Sequence, residues 1–311
     1  MTPDHAGSNH YLLDASCFYA LADDPEKRLT LRTGASSAST SILAVAELSC
    51  IGDTEEDFLR RKAAMRALTA VRPSIIEESP DDIVARAFGR PEPDSTRFDA
   101  QDIARAFELA ASRDESVRGV KDPLTGRRVR LSLAAGPGWK AEVADRYRTS
   151  VMLADRYVSE FVREDSPVPD TSGGEVVTAD SDSRPDALSA QPDDRFISLL
   201  GVAIRSGLLS ECQTRYKDNF LAVAAEFVPL VLERYNGKLE PYISMELAYR
   251  KSLAPDLGPE TNDVFRLEYF LHLDAHDVGY TFVTAENKWI ELGRAALPGR
   301  VRALDDVLGT A

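Results

Sequence analysis

The stretch Tyr11-Leu12-Leu13-Asp14-Ala15-Ser16 decides how the rest of the chain is read. Three apolar residues followed at once by a helix-capping acid read as a short buried strand whose C-terminal end carries Asp14. A helix comes next, with Cys17, Phe18, Ala20 and Leu21 on its apolar side, and Asp23-Asp24-Pro25 ends it. Near the other end of the chain, Tyr280-Thr281-Phe282-Val283-Thr284 repeats the pattern, and Glu286-Asn287 opens a helix through Arg294. Ser74-Ile75-Ile76 and Val301-Arg302-Ala303-Leu304 read as two further short strands. Short apolar strands alternating with helices indicate the α/β class, a parallel sheet covered on both faces.

The remaining segments are mainly helical. Gly34 to Ser39 reads as a polar loop of small residues, and Thr40 or Ser41 caps a helix from Ile42 to Ile51. The next helix, Glu55 to Val71, is expected to turn Phe58, Leu59, Ala63 and Ala67 inward and Arg61, Lys62 and Arg66 outward. Pro80-Asp81-Asp82 opens a helix through Phe88. Helices follow at Gln101 to Ala111 and within Trp139 to Phe161, with a basic turn from Val120 to Arg130 between them. Further helices are expected at Arg195 to Ser206, at Gln213 to Tyr235 with a kink at Pro229, and from Pro241 to Leu253. A last one runs from Thr261-Asn262 to about Leu271. At 311 residues the chain fits a core domain plus a large additional module.

The net charge of −14 is unevenly spread. Nine acids against one base, Arg184, lie between Glu164 and Asp194, so that stretch alone supplies −8. It holds no aromatic residue and is dense in Pro, Ser, Gly and Asp, the composition of a disordered linker. The remainder is only mildly acidic, so acidity does not exclude a nucleic-acid substrate. No apolar run approaches the length that crosses a bilayer. The polar start, Met1 to His10, lacks the layout of a secretory signal. Cys17, Cys50 and Cys212 have no metal-binding spacing and leave one thiol unpaired in any disulfide scheme, a cytoplasmic signature.

Four carboxylates stand where this architecture converges: Asp14, Glu47, Asp263 and Glu286. Asp14 and Glu286 follow strands, at the edge where open parallel sheets bind ligands. Each also reads as an ordinary helix cap, as does Asp263 in the first turn of its helix. Glu47 is more telling. Its helical neighbours Leu43, Ala44, Cys50 and Ile51 are all apolar, so it points into the buried face. A buried carboxylate must be paired, hydrogen-bonded or bound to a metal. Converging carboxylates repel unless a cation is present, and an oxygen-only set suits Mg²⁺ or Mn²⁺.

The opening Tyr11 to Ser16, the helix Ser41 to Leu48 with its inward Glu47, Asn262-Asp263-Val264-Phe265 and the run Thr281 to Trp289 together resemble a PIN domain. The resemblance covers residues 9–90 and 258–308. It implies a three-layer α/β/α core with a short parallel sheet, interrupted by a mainly helical insertion at 91–163. The linker at 164–194 and helices packing on the core at 195–257 complete the expected organisation. It further implies a metal-dependent ribonuclease, with Asp14, Glu47, Asp263 and Glu286 holding one or two Mg²⁺ or Mn²⁺ ions. Ser16 and Thr284 would be hydroxyls near the phosphate. The other implied role is a catalytically inactive PIN-like scaffold that binds RNA or a protein partner. Three departures from the family pattern stand out. Glu286, or its neighbour Asn287, takes a place more often held by Asp. Glu268 competes with Asp263 for the third place. Arg266 stands one turn after Asp263, where many relatives carry an acid or a small polar residue.

RNA as substrate requires cations for its backbone. Arg61, Lys62 and Arg66 on one helix, and Lys121, Arg127, Arg128 and Arg130 in the basic turn, are the candidates, though both groups also read as solvated faces. A protein inhibitor or a second copy of the chain is a further partner consistent with this reading. His272 and His276 have the spacing of paired zinc ligands, but no Glu stands beside the first, and they read as a partly exposed helix end. No Walker loop, dinucleotide fingerprint or nucleophile elbow is present. A phosphatase with an aspartyl nucleophile wants a second acid two residues after Asp14, where Ser16 stands.

Overall fold

The structure is a computed structural model that describes residues 10–33, 37–49, 54–90, 137–164, 194–217, 219–253, 258–276 and 278–309. The expected helix at 101–111, the basic turn with Arg127, Arg128 and Arg130, and linker residues 165–193 lie outside the described residues.

Five short strands form one all-parallel sheet: β1 (His10–Leu13), β2 (Ser37–Ser41), β3 (Ser74–Ile76), β4 (Thr281–Thr284) and β5 (Val301–Ala303). Their spatial order is β3-β2-β1-β4-β5. The first three strands therefore step outward from β1 in one direction and the last two in the other. The order reverses between β1 and β4, and in open parallel sheets a crevice forms at that reversal, beyond the C-terminal strand ends. Leu13 is in register with Thr40 on one side and Val283 on the other. The backbone N–H of Asp14 continues the ladder to the Val283 carbonyl at 3.2 Å. Pairing thus brings Asp14 alongside Thr284, although 270 positions separate them in sequence.

Helices fill the connections. After β1 come α1 (Ala15–Ala22) and α2 (Pro25–Thr33), and after β2 come α3 (Ile42–Ser49) and α4 (Glu55–Val71). α5 (Pro80–Ala87) follows β3. Between α5 and β4 in sequence lie α6 (Pro137–Glu164), α7 (Asp194–Arg205), α8 (Leu208–Tyr216), α9 (Phe220–Arg234), α10 (Glu240–Ser252) and α11 (Thr261–Leu267). A 3₁₀ turn, Glu268–His272, extends α11. α12 (Asn287–Ala296) and α13 (Leu304–Leu308) close the chain. One apolar core runs through the sheet and these helices, with the Phe270 ring in contact with both Phe282 and Trp289 and all three almost fully buried. Among the described residues no helix is long and apolar enough to cross a membrane.

Several elements depart from the sequence expectation. The supposed loop ending at Ser39 carries β2, a central strand made of Ser-Ala-Ser-Thr-Ser. Hydroxyl groups make this tolerable in a buried sheet, because they find backbone partners: Thr40 Oγ1 donates to the Leu13 carbonyl at 2.8 Å. Asp23-Asp24-Pro25 does end α1, but it also starts α2, with Asp24 Oδ1 accepting from the Lys27 amide at 2.9 Å and Pro25 in the first turn. The single helix expected from Gln213 to Tyr235 is two. Lys217 sits at φ 54°, and Asn219 caps the second helix by accepting from the Ala222 amide. On α4, Lys62 is buried rather than outward, while Leu59 is 41% exposed. That helix packs against α1, α2 and α3, while Arg66 is exposed as expected and Arg61 half-buried. His272 is buried completely, not at an exposed helix end, and its Nε2 lies 2.9 Å from Ser41 Oγ. Cys17 and Cys212 are free and buried, as expected of reduced thiols.

Candidate functional site

The four carboxylates singled out in the sequence line or underlie one cleft of about 990 Å³, bordered by Ser16, Glu47, Lys140, Asp263, Arg266 and Glu286. Asp14 is fully buried behind the lining residues Ser16 and Arg266. As the N-cap of α1 it accepts through Oδ1 from the Cys17 amide at 3.1 Å and from Ser16 Oγ at 2.5 Å. Oδ2 accepts from Thr284 Oγ1 at 2.8 Å. Ser16 Oγ in turn accepts from the Ala285 amide at 2.9 Å, which ties the α1 start to the end of β4. Both hydroxyls therefore orient Asp14, and Thr284 is fully buried behind it.

Glu47 enters from α3, which is buried along its whole length. Glu286 reaches in from the N-cap of α12 and stays 41% exposed. Asn287 instead faces solvent as the first residue of that helix. Glu268 points elsewhere: it forms a bidentate pair with Arg205 of α7 at 2.8 and 2.7 Å.

At the centre stands Arg266. Its Nη1 is 3.1 Å from Asp14 Oδ2 and 3.6 Å from Glu47 Oε2, and its Nη2 is 2.5 Å from Glu286 Oε1. Two lysines complete the charge pattern. Lys140, delivered from α6, lies 3.1 Å from Glu47 Oε1, and Lys288 lies 2.5 Å from Asp263 Oδ2. Tyr249 also donates to Asp263 Oδ2, at 3.0 Å. Four carboxylates thus meet three cations, and Asp263 belongs to the Lys288 side rather than to the Arg266 cluster.

The titration behaviour follows from these neighbours. Burial alone would raise the Glu47 carboxyl, but Arg266 and Lys140 outweigh it and hold it below the ordinary carboxylate range. Glu286 goes the other way: burial raises it, Arg266 opposes, and the charges of Asp14, Glu47 and Asp263 add to the rise. Burial works against the Arg266 charge, yet Asp14 and Glu47 more than offset that cost and keep it firmly protonated.

The donors are of the right kind for a hard divalent cation, since all are carboxylate or hydroxyl oxygens. The guanidinium of Arg266 stands between three of them. Among the described residues no three His, Cys, Asp or Glu side chains stand close enough to share one ion. To share a divalent ion, Asp14, Glu47 and Glu286 would have to lose Arg266 from between them.

Lys140 and Tyr249 had no signal in the sequence. Lys140 is 93 residues from its partner Glu47, and the packing of α6 on α11 is what brings it there. Lys288 stands beside the flagged Glu286 and Asn287, so its neighbourhood was legible although its partner was not.

Comparison of the chain with protein-family models, with curated proteins and with solved structures gives no match.

Proposed function

We propose that this cleft is the active site of a divalent-metal-dependent ribonuclease with a PIN-like, three-layer core formed by residues 9–90 and 258–308, the intervening helices being an insertion into it. The observation that carries the reading is convergence. Asp14 from the end of β1, Glu47 from α3 and Glu286 from the start of α12 all aim at one point, occupied by a cation, at the reversal of strand order. Three separate elements do not bury carboxylates against each other without a charge to hold them.

In this reading Asp14, Glu47 and Glu286 would hold Mg²⁺ or Mn²⁺, with Asp263 at the edge contributing directly or through water. The bound ion would supply a nucleophilic water at neutral pH and offset charge on the leaving oxygen. The chain's own part is positional. Ser16, Thr284 and the Cys17 amide fix both oxygens of Asp14, so the carboxylate needs no reorganisation. Lys140 lines the cleft and the half-exposed Lys288 stands on its border residue Asp263, where an RNA backbone requires cations. The basic turn with Arg127, Arg128 and Arg130 is the further RNA contact suggested by sequence.

A second reading has its own observation. Each cleft acid already carries a cation from within the chain, which suits a scaffold that binds RNA or a protein partner without cutting. Cleavage of mixed single-stranded and structured RNA by the full chain in Mn²⁺, Mg²⁺ or EDTA separates the two. The nuclease reading requires cutting in Mn²⁺ or Mg²⁺ that stops in EDTA and in Asp14→Asn. RNA binding in EDTA with no cutting under any condition would favour the scaffold.

A further inference from the structure

We infer that Arg266 is a built-in substitute cation: it holds the acidic locus when no divalent ion is present, must leave for one to bind, and thereby sets the metal affinity of the site. This rests on the metal-dependent reading above. The evidence is the way the guanidinium is held. Arginine usually meets carboxylates with its planar fork, two parallel hydrogen bonds to one partner. Arg205 does so with Glu268 in this same protein. Arg266 does not. It divides itself among three carboxylates, and its buried Nη1 makes no directed hydrogen bond although two of those carboxylates lie within 3.6 Å. Carboxylates that surround a point from three directions suit a spherical charge better than a flat one.

Charge argues the same way. Asp14, Glu47 and Glu286 repel one another unless a cation sits among them, and Arg266 together with Lys140 on Glu47 sets two paired cations against three negative groups. A divalent ion would compensate more fully. Arg266 borders the cleft beside Asp263 and Glu286 with its side chain 9% exposed, so its withdrawal would carry it outward into the cleft. Occupation by Arg266 and by metal are then mutually exclusive, and each weakens the other by the same factor.

The test uses the full chain with Mn²⁺ alone as probe, followed by electron paramagnetic resonance, comparing wild type with Arg266→Met. The expected result is Mn²⁺ binding about 5- to 150-fold tighter in the variant, the usual span of a coupling between two sites. Mn²⁺ should also raise the melting temperature of the variant more than that of wild type. Equal affinity in the two proteins would overturn the inference while leaving the metal reading intact. Failure of both to bind Mn²⁺ would overturn the metal reading itself. Should Arg266→Met not fold, nitrogen-15 NMR of the wild-type guanidinium groups answers instead, with Arg266→Lys used to assign the signal. A protected Arg266 resonance in EDTA should become exposed and exchange rapidly at saturating Mg²⁺, and a resonance that Mg²⁺ leaves unchanged would overturn the proposal.

Discussion

The Thr284 hydroxyl donates to Asp14 Oδ2 at 2.8 Å, joining the ends of β4 and β1 across the point where strand order reverses. Arg266 Nη1 stands 3.1 Å from the same oxygen, so one buried atom serves the sheet, the α11 helix and the cleft together. Asp14→Ala removes the α1 cap, takes the shared carboxylate acceptor from the Ser16 and Thr284 hydroxyls and takes one partner from a buried arginine. The expected loss of stability is about 3–5 kcal/mol, as for one side of a buried ion pair. Asp14→Asn should lose clearly less, because its side-chain oxygen still accepts from the Cys17 amide. Urea unfolding of the two variants checks this, and equal losses would mean that the charge alone matters.

Arg205 and Glu268 pair away from the cleft with both side chains nearly buried, at 9% and 3% exposure. Replacing only the arginine, Arg205→Met, leaves a buried carboxylate and should cost about 3–5 kcal/mol. The double variant Arg205→Met with Glu268→Met should recover most of that loss, since two apolar side chains of similar length leave no charge uncompensated. A double-mutant cycle in guanidinium chloride measures the coupling, which should vanish if the pair is only a surface contact.

α12 approaches β5 at Gly293, where an added methyl carbon would meet the Val301 side chain at 2.5 Å. Gly293→Ala gains helix propensity of about 1 kcal/mol. The overpacking penalty, about 1–3 kcal/mol, is expected to exceed it, because a β-branched strand residue cannot turn aside. The melting temperature should therefore fall, and adding Val301→Ala should restore part of the loss.

His272 is pushed down to about 3 by burial and by the neighbouring His276. The sign follows from proton uptake. Above about pH 6.5 both folded and unfolded chains carry it neutral, and below that only the unfolded chain takes the proton. Its contribution is fully present above about 6.5 and is lost as pH falls towards 3, by about 1.4 kcal/mol per unit. Urea unfolding between pH 7.5 and 5 should give a steeper fall for wild type than for His272→Gln. Parallel slopes would mean that His272 accepts its proton in the folded state.

Local physics made much of the frame readable in advance. Tyr11-Leu12-Leu13 and Phe282-Val283 are dense apolar runs bounded by caps, so their strands and the carboxylates just after them follow from pattern alone. Ser79-Pro80 announces α5 through a capping box and a first-turn proline. Inward-facing Glu47 was legible because its whole helical neighbourhood is apolar. β2 was not, because Ser-Ala-Ser-Thr-Ser has no apolar signal and becomes a strand only by pairing with β1 and β3 on either side. α2 was hidden by a proline that both stops one helix and starts the next.

The sequence by itself determined the class of the fold, the strand-end position of Asp14, and which acids deserve notice. Each of these follows from residues within a few positions of one another, where periodicity, capping and burial preference act. Only the tertiary structure decided what those acids touch: Arg266 among three of them, Lys140 on Glu47, Lys288 on Asp263, and Arg205 drawing Glu268 away. Charge partners are chosen by proximity in space, and the packing of α6, α7 and α11 that creates this proximity joins segments far apart in the chain.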